Sequence, residues 1–168
     1  LGCWRREAFE RFGLFDEYFK RTQDSEFNYR THMLGGRIVC NPAIRSTYFT
    51  RSTPARLWRQ YFEYGFWKTR LMKKLGGKLR PRHFAAPLLV AGLAVSALAI
   101  LCAALFGVGL LLWGGLALPC VYLLGILAAT CHIAANNETR TPPHLLPVIF
   151  AILHIAWGTG FLKGLITP

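Results

Sequence analysis

The longest pattern in the sequence is an apolar run over residues 84–135 that contains no Asp, Glu, Lys or Arg. An α-helix rises about 1.5 Å per residue, so about 20 apolar residues cross the hydrocarbon core of a bilayer. The run is therefore long enough for two spans, and Gly107 and Gly109 indicate a turn between them. A third apolar stretch follows a polar loop. We predict a transmembrane region over 84–168 with three helices, at about 84–106, 110–133 and 145–165.

A soluble, buried helical core is the alternative explanation for these stretches. A charge-free run of this length is rare outside membranes, and this favours the transmembrane interpretation. Within the third stretch, Gly160 and Gly164 match a small-residue motif for helix packing, although Gly is common in membrane helices.

Residues 54–74 have a different pattern, in which aromatic and aliphatic side chains alternate with Lys and Arg. Tyr and Trp favour the headgroup level of a membrane, and Lys and Arg favour anionic lipid. We predict that 54–83 forms an amphipathic interfacial helix and a basic linker, with membrane lipids as partners. A connecting helix with a solvated basic face remains an alternative. Basic and aromatic surfaces also bind nucleic acid, but the adjacent spans argue against that, and we expect no nucleic-acid partner.

The first 53 residues show shorter, mixed patterns. Helices are predicted over Arg5–Phe12 and from Asp24 to the glycines at 35–36, and strands over Arg37–Cys40 and Ile44–Phe49. A segment of this size rarely buries enough surface to fold alone. We therefore expect an α/β fragment, the C-terminal edge of a domain whose main sheet lies upstream of Leu1.

Charge divides the chain in the same way. Residues 1–83 hold 18 Lys and Arg against seven Asp and Glu, whereas residues 84–168 hold two against one. Positive charge beside a first span predicts that this side faces the cytoplasm. We expect a multi-pass protein of the bacterial inner (cytoplasmic) membrane, with the N-terminal part cytoplasmic and, after three crossings, the C-terminus outside.

The residues that could carry chemistry cluster over 23–30. Asp24 is expected at the N-cap of a helix, where the positive helix end favours an ionised carboxylate. Glu26 and Arg30 are four residues apart and can pair along one face. On these grounds alone a structural role is favoured for all three. The five Cys and five His residues lack ligand spacing, so no metal site is predicted.

Several segments together resemble the C-terminal part of family 2 glycosyltransferases, which are inverting enzymes with a Rossmann-like nucleotide-sugar fold. With the interfacial segment and the spans included, the resemblance is closest to the succinoglycan-type glucosyltransferases of exopolysaccharide synthesis. It covers about residues 1–85, and the matching segments are 2–9, 13–17, 23–26 with Arg30, 35–38 and 59–68.

This resemblance implies roles for individual residues. Asp24 takes the position of the catalytic base, and Gln23 replaces the first acid of the usual pair. Trp4 lies where the family shapes its acceptor pocket. Glu26 and Arg30 are candidates to orient the base loop or to contact acceptor or phosphate, and a structural salt bridge is equally compatible with them.

The segment that begins at Gln60 and ends at Tyr64 is the nearest match to the Gln-x-x-Arg-Trp motif of processive synthases, and we include both residues among the candidate substrate-binding residues. Glu63 replaces the arginine of that motif, and Tyr64 replaces the tryptophan. The loss of the cation argues against processive synthesis. It favours the addition of a single sugar to a lipid-linked acceptor.

The family's nucleotide pocket and its Asp-x-Asp metal motif precede the matched part, and no Asp-x-Asp occurs in these 168 residues. We expect Mg²⁺ or Mn²⁺ in the full-length enzyme, no metal bound by this chain, a nucleotide-sugar donor site elsewhere, and no transfer by this chain alone. The predicted activity is transfer of a sugar, glucose on the closest resemblance, to a lipid-linked saccharide. A non-catalytic membrane anchor or interaction subunit from a truncated or split gene is the alternative.

Overall fold

A computed structural model describes residues 2–47, 53–76, 81–136 and 141–167. The described residues form α1 (Arg6–Phe12), α2 (Gln23–Met33), α3 (Pro54–Lys74), α4 (Ala85–Phe106), α5 (Gly109–Ala135) and α6 (Leu146–Ile166). Short 3₁₀ turns at Pro81–Phe84 and Pro143–Leu145 precede α4 and α6.

The three predicted membrane helices are present. Together with their leading turns, the segments Pro81–Phe106, Gly109–Ala135 and Pro143–Ile166 are long and apolar enough to cross a membrane. Few side chains of α4 and α5 are buried within the chain, and many large apolar ones are exposed. Such a surface fits a lipid environment, in which apolar side chains need no protein cover.

Helices α4 and α5 form an antiparallel hairpin around a tight turn. Gly107 ends α4 with φ at +70°, a left-handed conformation that glycine adopts without steric cost. Within the hairpin, Gly115 lies directly against the backbone of Ser96 and the side chain of Ile100. The absence of a side chain at Gly115 lets the two helices approach closely.

Helix α3 packs along the C-terminal half of α6 through glycines on both helices. A Cβ at Gly65 would overlap the carbonyl oxygen of Trp157, and a Cβ at Gly160 would overlap that of Phe62. The buried Thr69 hydroxyl lies 3.1 Å from the Phe161 carbonyl oxygen and can donate a hydrogen bond to it. The small-residue pattern of α6 is therefore a packing surface within this chain.

The C-terminal ends of α3 and α6 lie together. Lys73 Nζ donates hydrogen bonds to the carbonyl oxygens of Leu165, at 2.8 Å, and Thr167, at 3.0 Å. Phe84, just before α4, contacts Phe161 of α6. In a bundle of three full crossings, the end of the third helix and the start of the first lie on opposite faces. The side of the membrane on which the C-terminus lies therefore stays a prediction.

The predicted strands are wrong for the residues that the structure describes. Residues 37–40 and 44–47 have no regular structure, and Tyr48 and Phe49 lie outside the described part. Ile38 and Val39 are 56% and 80% exposed. A strand needs neighbours to pair its backbone N–H and C=O groups and to cover its apolar face, and no other strand is present in the described ranges. The α/β edge is thus not seen, although α1 and α2 are confirmed.

Aromatic side chains form the core of the N-terminal segment. Phe27 of α2 is fully buried, and Trp4, Phe9 and Phe15 surround it with ring centroids 5.2–6.0 Å away. This cluster joins the residues before α1 to the first turns of α2. It therefore positions the start of α2, where the candidate base lies.

Candidate active site

A cavity of about 310 Å³ opens beside the N-terminus of α2, lined by Trp4, Phe15, Gln23 and Asp24. Three of these residues were predicted as site residues from the sequence. Their convergence brings one carboxylate, one amide and one indole to the same concave surface. Phe15 was missed as a lining residue, although it lies within one of the segments that carry the family resemblance.

Asp24 is exposed and is the second residue of α2. Its predicted N-cap position is wrong by two residues, since Thr22 occupies the cap with φ at +64°. The Asp24 Oδ1 atom accepts a hydrogen bond from the backbone N–H of Ser25 at 2.8 Å. Asp24 therefore lies in the first turn of α2, at the positive end of the helix, although it is not the cap.

Trp4 forms one wall of the cavity in a fixed orientation. Its indole Nε1 donates a hydrogen bond to the Asn28 Oδ1 atom at 3.2 Å. Edge contacts with Phe15 and Phe27 hold the ring from two further directions. A fixed aromatic ring beside a carboxylate provides a flat apolar surface against which a sugar ring could lie.

Glu26 and Arg30 belong to an ionic network and are not among the residues that line the cavity. The Glu26 side chain is 1% exposed, and its carboxylate pairs with Arg30 at 2.9 Å and with Lys74 of α3 at 3.0 Å. Arg30 also donates to the carbonyl oxygens of Phe12 and Leu14. Both side chains thus join α2 to its neighbours and do not line the cavity, and their role in substrate binding stays a prediction.

Lys74 is the cation that connects α3 to this network. Partial burial disfavours its charge, but hydrogen bonds to Asp16 and Glu26 outweigh burial and raise the pKa of Lys74. The hydrogen bond from Lys74, together with that from the Tyr18 backbone, lowers the pKa of Asp16. Lys74 and Asp16 are therefore both charged at neutral pH.

Gln60 and Tyr64 lie on α3, and the Gln60 Nε2 atom donates to the Tyr64 hydroxyl at 2.8 Å. Neither residue lines the cavity, and their substrate-binding role also stays a prediction. Between them in sequence, Glu63 pairs with Arg21 at 2.8 Å and Arg59 at 3.0 Å. Sequence reasoning missed the pair with Arg21 because 42 residues separate its partners.

The residues present do not form a site for the divalent cation that the resemblance implies. In the described ranges no three His, Cys, Asp or Glu side chains come close enough to hold a metal ion. At the cavity, Asp24 is the only carboxylate among the lining residues. A hard divalent cation prefers several oxygen ligands, which this surface does not offer.

The chain combines apolar helices that are long enough to cross a membrane with a segment whose cavity carries a carboxylate. These features are typical of a membrane-associated protein with a polar site. No protein-family model matches the chain, and no solved structure matches it. Two curated proteins do. The succinoglycan biosynthesis protein ExoA of Rhizobium meliloti is 30% identical over 96% of this chain and 46% of its own length.

The second relative is the dolichyl N-acetyl-alpha-D-glucosaminyl phosphate 3-beta-D-2,3-diacetamido-2,3-dideoxy-beta-D-glucuronosyltransferase of Methanococcus voltae. It is 31% identical over 91% of this chain and 42% of its own length. The chain thus spans about half the length of the curated relatives it matches. These matches confirm the resemblance: the chain is similar to a protein of succinoglycan biosynthesis and to a glucuronosyltransferase, which supports a C-terminal glycosyltransferase part.

Proposed function

We propose that this chain is the acceptor-side part of a membrane-bound, inverting glycosyltransferase that transfers a sugar from a nucleotide-sugar to a lipid-linked saccharide. The observation that carries the proposal is the cavity that joins Asp24 to Trp4 at the start of α2. Both relatives support a role in saccharide synthesis, and one name states a dolichyl phosphate-linked acceptor. An anchor or interaction subunit without catalysis has no comparable support.

In the proposed reaction, Asp24 is the general base. An acceptor hydroxyl loses its proton to the carboxylate as its oxygen attacks the anomeric carbon, and the nucleoside diphosphate leaves from the opposite side. The configuration at the anomeric carbon is therefore inverted. The exposure of Asp24 leaves its carboxylate open to an acceptor. The name of the Methanococcus voltae relative includes a β-linkage, which an inverting transfer would form from an α-linked donor.

Donor binding and any divalent cation are assigned to residues outside this chain. The sequence has no Asp-x-Asp motif, and the lining of the cavity offers a single carboxylate. We therefore propose that the 168 residues alone do not catalyse transfer. The two relatives are named for different saccharides, and glucose as the transferred sugar rests on the resemblance alone.

The proposed location is the cytoplasmic face of the bacterial inner membrane, with the segment before α4 in the cytoplasm. The excess of Lys and Arg before the first apolar helix supports this orientation. A single cysteine in place of Thr167 tests on which side of the membrane the C-terminal end of α6 lies. In intact cells, a membrane-impermeant maleimide labels this cysteine from outside if α6 crosses fully. It leaves it unlabelled if α6 ends beside Lys73 on the cytoplasmic side, as the contacts of α3 suggest.

The activity is tested with membranes that contain the full-length protein. The preparation is incubated with a panel of radiolabelled nucleotide-sugars, and the organic-soluble product is analysed for its anomeric configuration. We expect label in a lipid-linked saccharide with inverted configuration, and no label when the 168-residue chain is expressed alone. Retained configuration would contradict the proposed chemistry. Transfer by the short chain would contradict the assignment of donor binding to other residues.

A further inference from the structure

An ion pair joins α3 to the turn before the candidate base. Glu63 Oε2 accepts a hydrogen bond from Arg21 Nε at 2.8 Å, and Glu63 Oε1 accepts one from Arg59 Nε at 3.0 Å. Partial burial opposes the charge of Glu63, but the hydrogen bonds from the two arginines outweigh it and keep the pKa of Glu63 below its ordinary value. Glu63 is therefore a carboxylate at neutral pH.

Arg21 lies at the start of the turn that leads into α2, three residues before Asp24. The next residue, Thr22, has a left-handed backbone with φ at +64°, a conformation that is unfavourable for a residue with a Cβ. The Thr22 hydroxyl donates to the Arg21 carbonyl oxygen, and the Thr22 carbonyl oxygen accepts from Glu26 N–H at 3.0 Å. Because the turn is short, movement of Arg21 displaces the first residues of α2.

Glu63, the other partner of the ion pair, lies on α3, a helix that packs closely against α6. Helix α3 packs against α6 by direct contact between backbones at Gly65 and Gly160. Beside the ion pair, Trp67 of α3 contacts the rings of Tyr18 and Phe19, which precede the turn. Arg21 is thus held to a helix that is itself fixed to the apolar region.

We propose that Glu63 is a positioning residue that fixes the turn carrying Asp24 through its contact with Arg21. The inference rests on the proposed function. A partly exposed ion pair contributes little to stability, but a displacement of about 1 Å at a reacting group can lower a rate by about 100-fold. The pair therefore affects catalysis more than folding. In this interpretation, the glutamate that replaces the arginine of the processive motif connects the interfacial helix to the base.

Two arginine substitutions in the full-length enzyme test this role, because each removes one cation from Glu63. Arg21→Gln breaks the contact with the turn, whereas Arg59→Gln breaks a contact within α3. For Arg21→Gln we expect kcat to fall on the order of 10-fold with an unchanged KM for the donor, and for Arg59→Gln a change within about twofold. Arg21→Lys, which keeps the charge, is expected to recover most of kcat.

Equal effects of the two glutamine variants, or no loss of kcat in Arg21→Gln, would overturn the inference. A loss of folded protein in Arg21→Gln without the same loss in Arg59→Gln would give Arg21 a structural role and would overturn it as well. Asp24→Asn in the same assay separates this inference from the proposed function. If Asp24→Asn is active, the base assignment itself fails, whatever the arginine variants show.

Discussion

The two faces of α3 are held by different physical interactions. On the face toward α6, glycines let backbones touch, and the buried Thr69 hydroxyl bridges the helices. On the face toward the N-terminal segment, charged pairs at Glu63 and Lys74 flank an aromatic contact at Trp67. Close backbone packing contributes strongly to stability because it tolerates little displacement, whereas partly exposed ion pairs contribute little to stability. The face toward α6 therefore holds the helices together, and the face toward the N-terminal segment positions the site.

The first prediction concerns the rigid face and has the largest expected effect. Gly160→Ala places a methyl group against the Phe62 carbonyl oxygen, so α3 must move away from α6. We expect destabilisation of about 2 kcal/mol, since overpacking costs about 1–3 kcal/mol. Gly125→Ala in α5 is the matched control, because its methyl group meets no atom within 4 Å. Thermal unfolding in detergent measures both, and equal melting temperatures would contradict the packing of α3 on α6.

The second prediction concerns the ionic face. Lys74→Met removes one of the two cations that pair with the buried Glu26. We expect a loss of about 1 kcal/mol, because Glu26 keeps its pair with Arg30 and Lys74 is partly exposed to water. Lys20→Met, a change at an exposed lysine of the N-terminal segment, serves as the control. Limited proteolysis of the segment between α2 and α3 measures whether the two helices separate. Equal cleavage of both variants would argue that this network does not hold the helices together.

The third prediction uses pH to distinguish the faces and has the smallest expected effect. The lowered pKa values of Asp16 and Glu63 mean that their pairs stabilise the fold above the ordinary carboxyl pKa and lose this effect as pH falls through the lower folded values. The raised pKa of Lys74 means that its contribution is lost only as pH rises through a value above the ordinary one.

The stability difference between Lys74→Met and wild type should therefore stay constant between about pH 5 and 9 and shrink below about pH 4. The difference for Gly160→Ala should not follow this trend, because no charge is involved in that contact. Melting temperatures of both variants across this pH range provide the measurement. If the stability differences for Lys74→Met and Gly160→Ala change with pH in the same way, the two faces of α3 are not physically distinct.

The parts of the fold that were predictable from the sequence are those with local causes. The apolar runs predict α4, α5 and α6 by length alone, and glycine marks the end of α4. The strands over 37–40 and 44–49 were predicted wrongly for their described residues, because a strand is formed by its neighbours more than by its own residues. Contacts such as Glu26 with Lys74, 48 residues apart, leave no periodic signal in the sequence.

The residues of the candidate site also divide into those that the sequence predicted and those whose contacts it did not predict. Trp4, Gln23 and Asp24 were grouped by family resemblance, and the structure brings them to one cavity. Glu26 and Arg30 matched a common helix pair, and the pair exists, but its burial and its link to α3 were not predictable from spacing. At position 63 the sequence indicated only that the arginine of the processive motif is absent. The contact of Glu63 with Arg21 was therefore not predicted.

Transfer by the full-length protein with Asp24→Asn tests most directly whether Asp24 is the base of a sugar transferase. Glu17→Gln, another exposed carboxylate of the same segment that does not line the cavity, is the matched control. Loss of a general base lowers the rate by about 100- to 10,000-fold. We expect that loss for Asp24→Asn with donor binding retained, and near-normal transfer for Glu17→Gln. Transfer at the normal rate by Asp24→Asn would contradict it.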